Sequence, residues 1–511
     1  MRQSHRILSN AAVMWVTQVL QVAPPLILVP YLIRTIGETN YGVYILVWSL
    51  VMSIDQLEKS LQSGVVKYSS GFLAQGRIDE VNKVVSSSSV YSFVLAVLAS
   101  ASMFFTAALY KDNSDQIGFA LAMVGIIVLF NVPLTPYIAV IQSRQNYYVN
   151  ATAGIMAQYA NLIAVMIWFY IVGPSVWALI VIVAGTRFLA MLVQVPIAYR
   201  LVPGLQNRPR LCNKEHFRLI ASFGATIVLA SFCIAVNSTG IRWLMNSMAS
   251  TCFVTHLAIM LTPVGLLSSI IQAMTITVMP AASAYQATEN HTMLQELLIR
   301  GMRYSMILLI SGNLAAFFLM KNVLVIWVGS DYAFLTPYAL GLFAGSSFML
   351  STSTAHHMLK GIGKLRVVVY IYLFGFVIVP VTLILTVFQL CRNPYLAVTV
   401  GLISGHFICG CLNVALCAKA VHADLRKACI RVYVQPLIIA MFVGLTMLGT
   451  VTCIGLDGLV AMSFVSGLAS LLFFGGCYAF IATNDERQQA TGLIQFVINK
   501  IAFRWRKGLV S

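Results

Sequence analysis

The sequence predicts an all-α, polytopic membrane protein of about 14 transmembrane helices: two parallel six-helix lobes plus two extra C-terminal helices. Three observations predict it. Of 511 residues, 59% are hydrophobic and 9% charged. A soluble domain carries roughly 25% charged residues, so this chain could not cover a water-facing surface. Apolar stretches of about 20 residues, the length that crosses a bilayer, recur along the whole chain. Finally, the segment from Tyr31 has a counterpart from Arg242, at an offset of about 211 residues. Composition therefore excludes a soluble enzyme, a disordered chain and a nucleic-acid-binding domain.

The spans read, in order, 10–33, 41–65, 88–110, 117–142, 151–172, 175–199, 217–240, 252–279, 301–321, 334–357, 366–388, 394–418, 430–452 and 456–481. The second carries charges mid-span and the seventh is rich in small residues. Arg2 and Arg6 precede a first span too long for a signal-peptide core, and no clear small-residue cleavage site follows, so no secretory signal is expected. With the N-terminus in the cytoplasm, the outer loops and span ends hold Arg34, Lys111, Arg242, Lys321 and Arg392. Lys59 and Arg187 fall inside spans, and the other 25 of the 32 basic residues lie on the cytoplasmic side. That asymmetry supports both the orientation and the span count, since one missed span would reverse every later loop. It also accounts for the net charge of +17 without a polyanionic partner; no nucleic acid is implied.

The repeat pairs YLIRTIGETNYGVYILVWSLVMSI with RWLMNSMASTCFVTHLAIMLTPVG. Six spans separate the copies, so both halves have the same orientation. The expected units are 1–210 (spans one to six), 211–423 (spans seven to twelve) and 424–511, which holds the last two spans and a basic tail. Alternating-access transporters are often built this way, with the site between the lobes near the midplane. In the tail, Leu493, Val497 and Ile501 recur every four residues among Lys500, Arg504, Arg506 and Lys507, as in a helix lying on anionic lipid.

Intramembrane charges are the candidate site. Asp55, Glu58, Lys59 and Gln62 sit at i, i+3, i+4 and i+7, one stripe about 100° wide. A charge near the bilayer centre costs roughly 2.5–3.5 kcal/mol on insertion scales, so the stripe faces protein or water. It either reaches the interface from the inner end of a tilted helix or walls a polar cavity. Asp55 can pair with Lys59. Arg187 has no acid near it in sequence; Asp55 or Glu58 as a structural partner and a ligand role both fit. Arg34 and Arg242, at outer span ends, read as interface anchors or as a pair holding an anionic headgroup. Gln18 and Gln21 precede Pro24-Pro25, whose missing donors bend the first span. His256, His356, His357 and His406 read as core histidines. The cysteines read as small buried hydrophobes, with neither disulfide nor metal site proposed. No Gly-x-Ser-x-Gly, His-Glu-x-x-His or phosphate loop is present, so neither an enzyme nor ATP hydrolysis is expected.

Four further stretches carry a resemblance: Leu32-Ile-Arg34-Thr-Ile-Gly37-Glu-Thr-Asn-Tyr41-Gly42-Val-Tyr44 after span one, Ser60-Leu-Gln62-Ser63-Gly64-Val-Val-Lys67-Tyr68 closing span two, Ile141-Gln142-Ser-Arg144-Gln-Asn-Tyr147 after span four, and Leu359-Lys360-Gly361-Ile-Gly363-Lys364 after span ten. In register over roughly residues 1–425, they resemble the polysaccharide transporter family, the Wzx-type flippases of the multidrug/oligosaccharidyl-lipid/polysaccharide (MOP) superfamily. The resemblance implies a V-shaped MATE-like bundle in the bacterial inner (cytoplasmic) membrane, both termini cytoplasmic. It implies translocation of undecaprenyl-pyrophosphate-linked oligosaccharide units for O-antigen, capsule or exopolysaccharide synthesis. Implied partners are membrane lipid, the lipid-linked oligosaccharide, and a polysaccharide polymerase and export machinery.

The family's cavities are lined by basic residues suited to pyrophosphate. Lys59, Arg187, Arg34 and Arg242 are the candidates here, with Gln18, Gln21 and Gln62 as polar wall. No cofactor is implied beyond a coupling proton or sodium ion, with Asp55 and Glu58 as candidates. Fourteen spans departs from the twelve common in O-antigen flippases and is nearer in layout to the lipid II branch, without a close motif match. An ion-coupled multidrug antiporter of the same superfamily and a membrane-embedded glycan polymerase or ligase are the alternatives.

Overall fold

The computed structural model describes residues 20–109, 115–144, 146–275, 278–455, 458–481 and 487, apart from Val22. Every regular element among the described residues is helical. Among the described residues, twelve helices are long and apolar enough to cross a membrane. Numbered by span, they are α3 Ile78–Ala108, α4 Leu121–Ser143, α5 Tyr148–Ile171, α6 Val176–Leu201, α7 Ile227–Met248, α8 Thr251–Thr275, α9 His291–Trp327, α10 Ser330–Gly361, α11 Leu365–Cys391, α12 Pro394–Ala420, α13 Leu425–Ile454 and α14 Leu459–Phe480. Before them come a shorter apolar helix, α1 Ala23–Ile36, and α2 Glu38–Ala74. The latter is long enough to span but carries Glu38, Asp55, Glu58, Lys59 and Lys67.

Helix starts follow local chemistry. The Asn290 side chain accepts from Met293 N–H ahead of α9. Asn393 accepts from Tyr395 and Leu396 N–H ahead of α12, where Pro394 needs no donor. Asp424 accepts from Arg426 and Lys427 N–H at α13. Between α1 and α2, Gly37 takes φ 83°, a left-handed conformation suited to glycine that turns the chain without a loop.

Packing repeats at a spacing of six helices. α3 packs on α4, α5 on α6, and α4 on both α2 and α6. Likewise α9 packs on α10, α11 on α12, and α10 on both α8 and α12. The two sets meet where α2 crosses α7 and α8. At the first crossing α7 contains a π-helical turn, Val236–Gly240. Its Thr239 hydroxyl donates to the Ser49 carbonyl at 2.7 Å and lies 2.6 Å from the Ser53 hydroxyl, polar glue of the kind that joins helices in lipid. α13 and α14 stand outside this scheme and pack on α9. The connection from α6 to α7 is strapped to α3. Asn82 accepts from Gln206 N–H, Ser86 from Arg208 N–H and Ser87 from Asn213 N–H, while His216 meets Glu80 at 2.8 Å.

Candidate functional site

A cavity of about 580 Å³ lies among α1, α2, α4, α5 and α6. Three helices wall it because each carries a stripe at helical spacing. On α2 the stripe is Tyr41, Tyr44, Trp48, Met52, Asp55 and Gln62. On α5 it is Asn150, Gly154, Gln158 and Asn161, and on α6 Val183, Thr186, Arg187, Ala190 and Gln194. Pro24, Pro25 and Leu28 of α1 close one side. This cavity sits inside the first six helices. α2 crosses α7 and α8 in close contact, and a Cβ on Gly42 would lie 2.2 Å from the Thr251 carbonyl oxygen.

Arg187 and Asp55 form an ion pair across the wall, α6 to α2, with side chains 20% and 13% exposed. The guanidinium also stands 5.8 Å from the Trp48 ring centroid. Among the described residues these are the cavity's only charged lining groups, and together they are neutral. The rest of its polar surface is amide, hydroxyl and indole. Four buried polar atoms on the wall lack a hydrogen-bond partner: Arg187 Nε, Gln158 Oε1, Asn161 Oδ1 and Gln194 Oε1. Unpaired polar atoms at membrane depth are costly; the four atoms are buried within the wall, and the side chains that carry them line one hollow.

Of the sequence candidates, Asp55, Gln62 and Arg187 meet at this cavity. Arg34 is exposed at the end of α1. Arg242 is half-buried off the wall, donating to the Ser238 carbonyl of its own helix at 2.6 Å. Gln21 is half-buried and also off the wall. Gln18, the side chains of Glu58 and Lys59, and the amphipathic tail lie outside the described residues. The amides Asn150, Gln158, Asn161 and Gln194 were missed. Asn150, Gln158 and Asn161 stand at i, i+8 and i+11 in an otherwise apolar span, a polar stripe without charge that the search for ionic residues passed over.

A second polar cluster joins the two sets of helices. Glu38 accepts from Tyr332 OH at 2.5 Å and from Cys252 Sγ at 2.6 Å, and lies 3.5 Å from His256 Nε2. His356 Nε2 lies 2.8 Å from Tyr372 OH, its Nδ1 being buried without a partner, and His406 Nδ1 lies 3.1 Å from Ser346 Oγ.

No protein-family model matches this chain, and no curated protein matches it in sequence. Solved structures do. An inward-facing multidrug resistance MATE family transporter of the MOP superfamily superposes with TM-score 0.64 at 15% identity, covering 82% of this chain and 99% of that one. A MOP superfamily transporter from Pyrococcus furiosus, described as having a binding pocket of reverse polarity that suggests a different function, gives 0.62 at 14% identity over 82% and 95%. The eukaryotic MATE transporter AtDTX14 gives 0.58 at 11% identity over 84% and 97%. The chain thus has the fold of these MATE transporters.

Proposed function

We propose that the protein is an alternating-access transporter, not an enzyme, that moves a lipid-linked oligosaccharide across the bacterial inner membrane as a MOP-type flippase. Two lobes, 1–210 and 211–423, rock about the α2 crossings, and 424–511 is an appendage. The observation that carries the reading is the amide-rich hollow of α2, α5 and α6, whose charged lining groups among the described residues are the paired Arg187 and Asp55. Hydroxyl-rich sugars match such a surface, amides and an indole offering hydrogen bonds and a stacking face. The lipid tail stays in the bilayer beside α1.

The pyrophosphate needs a cation, and Arg187 supplies one only by leaving Asp55. Phosphate and the Asp55 carboxylate therefore compete for one guanidinium. Free of Asp55, the Arg187 guanidinium can bind phosphate bidentately. Asp55, as the group that competes for Arg187, is the candidate site for a coupling ion. A multidrug antiporter of this fold would hold cations on an acid; here the acid on the wall is already neutralised, which favours the flippase reading.

Deletion of the gene followed by analysis of lipid-linked intermediates tests the proposal. Undecaprenyl-linked repeat units accumulating on the inner side is the expected result. Unchanged surface glycan with raised sensitivity to cationic dyes would transfer the assignment to the antiporter.

A further inference from the structure

We infer that Glu38, Cys252 and His256 form a site for a borderline-soft divalent cation of the zinc type, whose binding fastens α2 to α8. The inference does not depend on what the protein transports. It starts from donor chemistry: one carboxylate, one thiol and one imidazole, each offering a ligand atom within 4.8 Å of the others. This is a mixed O, S, N set of the kind that holds Zn²⁺. Cys252 and His256 are four residues apart at the start of α8, hence on one face. Glu38 comes from the start of α2, so the cluster bridges the two sets of helices.

The geometry is close to a coordination shell. Around a tetrahedral Zn²⁺, thiolate, imidazole and carboxylate atoms stand roughly 3.3–3.6 Å apart. The separations here are 2.6 Å for sulfur to Glu38 Oε2, 3.5 Å for Oε2 to His256 Nε2 and 4.0 Å for sulfur to Nε2. They bracket those values, and sub-ångström side-chain shifts would equalise them.

The atoms that would not touch the ion are already held. Glu38 Oε1 accepts from Tyr332 OH at 2.5 Å, leaving Oε2 for the cluster. His256 Nδ1 lies 2.7 Å from Tyr395 OH, leaving Nε2 for the cluster. Ligands oriented through their second atom by an outer partner are the mark of a supported metal site. The Thr255 hydroxyl also donates to the Glu38 carbonyl at 2.7 Å, which fixes the backbone that carries the carboxylate. Glu38 lies in the first turn of α2, where the dipole favours a carboxylate. On binding, the Cys252 thiol gives its proton to solvent as sulfur takes the metal. The ion then ties α2 and α8 at the point where Gly42 already brings their backbones together.

The test uses the full chain, free of affinity tags, in lipid nanodiscs, titrated with Co²⁺ and then Zn²⁺. The expected result is one Co²⁺ per chain more than in the Glu38→Gln/Cys252→Ser/His256→Gln triple variant, with a thiolate-to-cobalt charge-transfer band that Zn²⁺ abolishes by displacement. Tyr395→Phe should weaken metal binding about 10–100-fold while keeping the band, as loss of an outer partner does. Zn²⁺ should also raise hydrogen-exchange protection over residues 38–42 and 251–256. A wild-type chain saturated with Co²⁺ and showing no thiolate band overturns the site even if the triple variant fails to fold. A band that survives in Cys252→Ser overturns it equally. Binding without added protection of the two helix ends overturns the fastening.

Discussion

Glycine is used in opposite ways by α5–α6 and by their counterparts α11–α12. A Cβ built on Gly375 of α11 would lie 2.6 Å from the Cys409 Cβ, and one on Gly405 of α12 would lie 2.4 Å from the Gly375 carbonyl oxygen. Those glycines let two backbones touch. In α5 and α6, Gly154 and Gly185 meet nothing within 4 Å; Gly154 lines the cavity. The same pairing thus closes one half and opens the other. Buried polar atoms stay unpaired in both halves, among them Gln158 Oε1 and Asn161 Oδ1 in the first and His356 Nδ1 and Asn413 Oδ1 in the second. What sets the first half apart is that Gln158, Asn161, Arg187 and Gln194 line one hollow.

The largest effect should come from breaking the ion pair that sets the first half apart. Arg187→Ala leaves Asp55 uncompensated inside the bundle. Removing one partner of a buried pair typically costs about 3–5 kcal/mol, and thermal unfolding in lipid should show a loss on that scale. Adding Asp55→Asn should restore most of the stability but none of the transport. A stable Arg187→Ala single variant would mean that the pair does not organise this half.

Much of this was legible before any coordinates. Hydropathy located the helices, because a span must be apolar over its whole length. The α2 stripe was legible too, since charge cannot face lipid, and Asp55 was among the partners weighed for Arg187. Which neighbour a stripe faces was not legible. Helical periodicity gives the direction of a side chain relative to its own axis and says nothing about the helix opposite. That Asp55 pairs with Arg187 of α6, rather than with Lys59 or another helix, is therefore known only from the fold. The Glu38–Cys252–His256 cluster was hidden for the same reason. Glu38 is 214 residues from Cys252, and only the α2–α8 crossing makes them neighbours.

The next effect concerns the glycines. Gly405→Ala forces a methyl against backbone, and overpacking of this kind costs about 1–3 kcal/mol. Gly154→Ala projects into open space and should change stability by less than about 0.5 kcal/mol. Gly154→Leu should also fold, yet lose transport by filling the hollow. Equal destabilisation by the two alanine variants, measured side by side, would erase the contrast between the halves.

The wall amides should show a smaller effect, confined to function. Gln194→Leu and Asn161→Leu each remove one cavity hydrogen-bonding group, and a net hydrogen bond of about 1 kcal/mol corresponds to roughly fivefold in affinity. Oligosaccharide transport should fall by about that factor, with unfolding temperature nearly unchanged. Full transport in both variants would take the sugar out of this cavity.

The smallest effect tests the second half alone. His406 is buried in α12, bonded to Ser346 Oγ through Nδ1 and edge-on to the Phe376 ring. No acidic side chain is bonded to it among the described residues. His406→Gln should lower stability by about 0.5–1.5 kcal/mol, the net worth of one hydrogen bond. It should leave the pH profile of transport where it was. Asp55→Asn, by contrast, should change transport itself, because Asp55 holds the Arg187 guanidinium. Transport changed by His406→Gln and unchanged by Asp55→Asn would exchange the roles of the two halves.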